Sequence, residues 1–159
     1  MGLARLLTRT LDWFYVPLVR RVVSLEVFRY GAVGALNMAL DALWYCIIYN
    51  FVVCKEFVDL GFVVISPHIL SLVIVFPITF FTGFWLNRNV AFCATQMPQG
   101  VQLLKYALTV VGAILLNYVS MKVLVEYVLL WPTISKVLTT LITAVYSYLL
   151  GRYYTFVKF

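Results

Sequence analysis

The chain has 159 residues, 64% of them hydrophobic and 11% charged, with a mean hydropathy of +0.99. Those values exclude an ordinary soluble domain. The net charge of +6 would suit nucleic acid, but the basic residues are scattered at the ends of apolar runs, where membrane topology places them. At ~20 residues per spanning helix the length accommodates four crossings, short loops and a leading segment.

Residues 2–15 carry Leu3, Leu6, Leu7, Leu11 and Phe14 on one face and Arg5, Arg9 and Asp12 on the other. This is helical spacing with a basic side, too polar to span. Arg5, Arg9 and Asp12 interrupt the stretch before the apolar core of a cleavable signal can form. Pro17 breaks the pattern and residues 18–27 resume it, with Arg20 and Arg21 facing water. Residues 1–27 therefore read as an amphipathic segment on the cytoplasmic surface, and 28–159 as the membrane domain.

The first crossing is expected over about 29–53, with Asp41 the only charge strictly between Arg29 and Lys55. A loop containing Lys55, Glu56 and Asp59 leads to a second crossing over about 68–87, with Pro77 near its middle as a kink point. Arg88 falls in the following loop. The third crossing covers about 105–127, and a turn at Trp131-Pro132-Thr133 opens the fourth, over about 133–151, closed by Arg152.

The segment 84–92 reappears as 148–156, with Leu86/Leu150, Arg88/Arg152 and Phe92/Phe156 in register. Each copy closes a hairpin that opens on a cation and a tyrosine, Arg29-Tyr30 and then Lys105-Tyr106. Laid over each other from those pairs, the opening helices put Asp41 opposite Asn117. Such a duplication is the pattern of small membrane transporters. Nine Lys and Arg on the side of the termini and the middle loop, against three on the other, place both termini in the cytoplasm. The expected fold is thus all-α and polytopic: four transmembrane helices as two parallel helical hairpins, after an amphipathic interfacial helix.

Asp41 lies 12 residues beyond Arg29, about 18 Å deep at 1.5 Å per residue. A carboxylate there needs a partner, hydration or a proton. Gly34, Asn37, Asp41 and Trp44 share one stripe of the first helix, and Lys136, Thr140, Thr143 and Ser147 one face of the fourth. Asn37, Asp41, Asn117, Thr140 and Thr143 are therefore the candidate polar lining of a path. Hydrogen bonding between helices is the rival reading for the asparagines and threonines. Arg29, Arg88, Lys105 and Arg152 form a cytoplasmic rim; in Arg88 and Arg152 the planar fork suits phosphate oxygens. Lys122 and Lys136 mark the outer rim, either receiving an anionic headgroup or snorkelling to the surface. Cys46, Cys54 and Cys93 have no metal-ligand spacing, and His68 stands alone, so neither metal nor cofactor is expected. No nucleotide loop and no paired membrane carboxylates appear; the reading is non-enzymatic.

The run Phe28-Arg29-Tyr30-Gly31-Ala32-Val33-Gly34 with Asn37, the run Leu86-Asn87-Arg88-Asn89-Val90-Ala91-Phe92, and the closing Gly151-Arg152-Tyr153-Tyr154-Thr155-Phe156 together resemble the GtrA-like family. The resemblance covers about residues 28–159 and departs from the bare pattern in the basic leader and in Asn87/Gly151. It implies a four-helix protein of the bacterial inner membrane that flips a polyprenyl-phosphate-linked monosaccharide to the outer leaflet for cell-surface glycosylation. The implied partners are that lipid, the membrane and a separate polyprenyl-phosphate glycosyltransferase. Four helices hardly enclose a sealed route, so a lateral groove or a homo-oligomer is expected. The rival readings are a non-catalytic anchor of the glycosyltransferase and a small multidrug-type exporter, whose cationic substrates the arginine rim would not help.

Overall fold

The computed structural model describes residues 2–16, 21–54, 58–59, 64–93 and 97–157. Pro17, Arg20, Lys55, Glu56 and Lys158 lie outside them. Helix α1 spans Gly2–Trp13, α2 Leu25–Ile47, α3 Pro67–Leu86, α4 Gln99–Lys122 and α5 Pro132–Leu150. Four stretches are long and apolar enough to cross a membrane: Leu25–Val52, Pro67–Ala91, Gln99–Tyr127 and Pro132–Thr155. The chain is therefore an all-α polytopic protein with a separate N-terminal helix. A two-residue antiparallel ladder, β1 (Val58–Asp59) with β2 (Val64–Ile65), decorates the connection between α2 and α3.

The crossings begin and end where local chemistry dictates. Ser24 caps α2 by accepting from the Val27 amide at 3.4 Å, with Glu26 in the first turn facing the positive helix end. Helices α3 and α5 each start with a proline, whose missing N–H is an orphan at that position anyway. Pro77 lies inside an unbroken α3. Helix α2 thus starts at Leu25, before residue 29, the expected start of the first crossing.

All four crossings end the same way, in one wide π-helical turn: Ile48–Val52, Asn87–Ala91, Val123–Tyr127 and Gly151–Thr155. The widening shows as bonds over five residues, from the Val53 amide to the Ile48 carbonyl (2.8 Å) and from the Phe156 amide to the Gly151 carbonyl (2.8 Å). After three of these turns the second residue on is left-handed: Cys54 (φ 54°), Cys93 (φ 49°) and Leu129 (φ 57°). A left-handed residue directs the chain away from the helix axis and stops it, the role glycine usually fills. Arg88 accordingly sits inside the last turn of a crossing, not in a loop beyond it, and Arg152 occupies the matching turn.

The molecule divides into two compact units, Met1–Ala91 and Phe92–Phe159. In the first, α2 packs on α3 through Ile48, Val53 and Val75, with Trp44, Tyr45, Leu70, Ile74 and Ile78 around them. The buried stripe of α3 runs Ser71, Val75, Thr79, Gly83 at intervals of four, small residues that let two backbones approach. The Ser71 hydroxyl turns back to the Pro67 carbonyl (2.8 Å) and that of Thr79 to Val75 (3.2 Å), so neither is left unsatisfied. In the second unit, α4 packs on α5, whose buried residues Ser135 and Thr139 occupy the repeat positions of Ser71 and Val75. At Gly112 the Tyr146 hydroxyl occupies the place a β-carbon would take, so that side chain packs directly on the α4 backbone.

Elsewhere the crossings show apolar side chains outward. Only 6% to 33% of each spanning window is buried inside the chain. With so little internal core, the outer faces require hydrocarbon as their solvent.

Candidate functional site

Each hairpin carries two features, a cationic turn at one end and a polar notch midway. In the first unit the turn Asn87–Ala91 is fixed by its own amides: the Asn87 side-chain amide donates to the Gly83 carbonyl and that of Asn89 to Trp85, both at 2.8 Å. Arg88 is half-buried there, next to the fully buried Val90 and Ala91. The other cation of this rim, Arg29, is engaged from α1. Its Nε donates to Asp12 Oδ1 at 2.8 Å and its Nη2 to Asp12 Oδ2 at 2.6 Å, a two-pronged ion pair. Tyr15 reinforces the fold-back, donating its hydroxyl to the Val23 carbonyl (2.6 Å) while its ring packs at 5.3 Å on Phe28.

In the second unit the same elements are wired differently. Arg152 is exposed, donates to the Tyr148 hydroxyl (2.9 Å) and lies 5.4 Å over the Tyr153 ring. Phe84 stands at the repeat position of Tyr148 and has no hydroxyl, so Arg88 cannot be held that way. Lys105 donates to the Tyr154 carbonyl at 3.2 Å, with its ammonium 4.8 Å over that ring. Beneath, Thr109 and Thr155 share a buried hydroxyl bond of 3.1 Å, where the first repeat has the buried apolar pair Val33 and Ala91.

The midway notches match in the same manner. Asp41 is half-buried and lines a cavity of about 370 Å³ with Leu72, Val73, Val75 and Phe76. It makes no ion pair or hydrogen bond among the described residues. Asn37, one turn before it, has a buried Oδ1 without a partner. Asn117 lines a cavity of about 500 Å³ with Ala113, Ile114, Tyr118, Met121 and Thr143. Both cavities are mostly apolar; Asp41 is the polar residue of the first, and Asn117 and Thr143, with the Tyr118 hydroxyl, are those of the second.

The fourth helix differs from its expected polar face. Thr140 and Lys136 are exposed, and the Thr140 hydroxyl is satisfied by the Lys136 carbonyl at 2.8 Å. The inward stripe is instead the buried Ser135 and Thr139 with the half-buried Thr143, and both Thr139 Oγ1 and Thr143 Oγ1 are buried without partners. Lys122 and Glu126 approach to 4.0 Å as an exposed i,i+4 pair of little energetic weight. Sequence reasoning missed the Asp12–Arg29 pair, Thr139 and the Thr109–Thr155 bond. The closing repeat aligns Ser71 with Ser135 and Thr79 with Thr143, but it leaves Thr139 opposite Val75, and the opening repeat leaves Thr109 opposite Val33, so neither threonine was marked. No group of three potential metal ligands occurs among the described residues.

Four apolar crossings, each finished by the same wide turn, with a polar notch in each of the two units, define a small polytopic membrane protein of duplicated hairpins. The family described as GtrA/DPMS, transmembrane domain, matches residues 29–156, and the chain belongs to it. No curated protein and no solved structure matches the chain.

Proposed function

We propose that the protein moves a polyprenyl-phosphate-linked monosaccharide across the bacterial inner membrane, for glycosylation of surface polysaccharide or lipid. The observation that supports this most is the repeated pairing of a cation-bearing terminal turn with a lipid-facing notch: Arg88 with Asp41, and Arg152 with Asn117. A prenyl tail can stay in hydrocarbon while only a phosphate and a sugar cross. Guanidinium forks at the entrance suit the phosphate. Amide and carboxylate oxygens halfway replace part of the water that sugar hydroxyls give up.

In this reading both termini and the arginine turns face the cytoplasm, where a polyprenyl-phosphate glycosyltransferase would deliver its product. The chain acts as a carrier and not as a catalyst. Movement follows the gradient of lipid-linked sugar or is coupled to protons at Asp41. Two copies would complete the route if the notches of one chain do not form it alone.

Reconstitution of the purified chain in vesicles containing a fluorescent polyprenyl-phosphate sugar tests the proposal. Transbilayer movement is expected from the chain alone; its absence without the glycosyltransferase would instead favour an anchoring subunit. Arg88→Ala and Arg152→Ala should each lower the rate about tenfold or more while insertion persists, the weight of a charged hydrogen bond. Undiminished movement in both variants rejects phosphate contact at these positions. Asp41→Asn keeps the shape and removes the charge, so an unchanged dependence of rate on pH in that variant excludes proton coupling there.

A further inference from the structure

Helix α1 has three edges, and they do different things. Ala4, Leu7, Thr8, Leu11 and Asp12 are partly buried against the first unit, while Arg5 and Arg9 are exposed on the next edge. Leu3, Leu6, Trp13 and Phe14 remain more than half exposed on the third, at 62%, 62%, 77% and 56%. Asp12 is the sole acid of residues 2–16, and its charge is already spent on Arg29. What α1 offers outward is thus an apolar edge flanked by two uncompensated arginines. That combination fits an anionic leaflet, which takes the apolar edge at headgroup depth and the guanidiniums at its phosphates.

The ion pair sets this preference against another. A carboxylate that takes both prongs of a guanidinium copies the way two oxygens of a phosphate would take them. The Arg29 side chain is only 19% exposed, so a headgroup and Asp12 cannot both occupy its fork. We propose that the Arg29 guanidinium is a subsite for a phosphate headgroup, and that α1 fills it with its own carboxylate until α1 shifts onto an anionic lipid surface. Lys105 at the matching position in the second repeat is bound to a backbone carbonyl instead, so the device belongs to the first hairpin only. This inference rests on the reading of the rim cations as phosphate ligands.

The test is a titration of the full chain in neutral detergent with a soluble short-chain phosphatidate, read by calorimetry. Asp12→Asn should tighten binding about tenfold, because the competing charged fork is removed. Thr10→Lys adds one positive charge to α1 without touching the pair, and should tighten binding by less than about threefold, the range of an exposed charge. In an Arg29→Gln background Asp12→Asn should give no tightening. In the unaltered chain, saturating phosphatidate should speed amide exchange across Gly2–Trp13 several-fold, since the ligand displaces Asp12.

Inorganic phosphate as the second titrant identifies the source: equal tightening assigns the site to the phosphate group itself, and tightening for phosphatidate alone assigns it to a lipid. Three results overturn the proposal: Asp12→Asn no tighter than Thr10→Lys, tightening that survives without Arg29, or exchange unmoved by phosphatidate. None of these readouts involves movement across a bilayer. A chain that behaves as expected here and still fails to flip a lipid-linked sugar would defeat the transport reading alone.

Discussion

Gly151 stands where the first repeat has Asn87, and the ring of Phe92 is the reason. A β-carbon at Gly151 would lie 2.8 and 2.9 Å from two Phe92 ring atoms, and Phe92 is itself clamped by Phe156, with ring centroids 5.2 Å apart. Since Phe92 is almost fully buried, the ring has nowhere to retreat. Gly151→Ala should therefore destabilise the chain by about 1–3 kcal/mol, as overpacking does, and Gly151→Ala with Phe92→Leu should recover part of that. Thermal unfolding in detergent measures both; a Gly151→Ala chain as stable as the parent would show that the seam yields. The in-register Arg88 and Arg152 were legible because charge inside an apolar repeat stands out. The glycine between them was legible only as a mismatch, since its partner is a side chain from the far end of the preceding motif. Thr139 was obscured by a different ambiguity. The series 136-140-143-147 and 135-139-143-147 both keep helical spacing through Thr143, and only the packing partner decides which faces inward.

Among the elements, the two hairpins solve one seam in two ways. In the first, the matched positions hold the buried apolar residues Val33 and Ala91; in the second, Thr109 and Thr155 are joined by a hydroxyl bond. The hydroxyls are not equivalent, because Thr109 also bonds to the Lys105 carbonyl at 2.9 Å. Thr109→Val leaves the fully buried Thr155 hydroxyl without its partner and should cost about 1–3 kcal/mol. Thr155→Ala leaves Thr109 satisfied by its own helix and should cost less than that full penalty. The double variant restores the apolar solution of the first hairpin, so its loss should be smaller than the sum of the two. Simple addition in the thermal melts would mean that the pair is not coupled. The positions of the four crossings could be read from apolar length, but their endings could not. A wide turn closed by a left-handed Cys54, Cys93 or Leu129 carries no glycine to announce it. The Asp12–Arg29 pair escaped for a related reason: it joins residues 17 apart across a fold-back, and neither charge has a periodic partner.

For the molecule as a whole, the distribution of charge and the native thiols supply a test of orientation. Cys54 and Cys93 are exposed, follow successive crossings and flank α3, so one membrane passage separates them. Cys46 is exposed too but lies inside α2, within a span, where the surrounding hydrocarbon excludes an aqueous reagent. The proposed orientation, which rests on charge bias, puts the side of Arg88, Lys105 and Arg152 in the cytoplasm. A membrane-impermeant maleimide should then modify Cys54 in right-side-out vesicles and Cys93 only in inverted ones. Cys46 should stay unmodified until detergent is added. The experiment needs no substitution, so it reads the chain in its own packing. Its consequence reaches the transport reading directly, because a lipid-linked sugar made at the cytoplasmic face must meet the guanidinium turns first. Labelling of Cys93 from outside would turn those turns outward, and the arginines would then act where the cargo leaves the protein instead of where it enters.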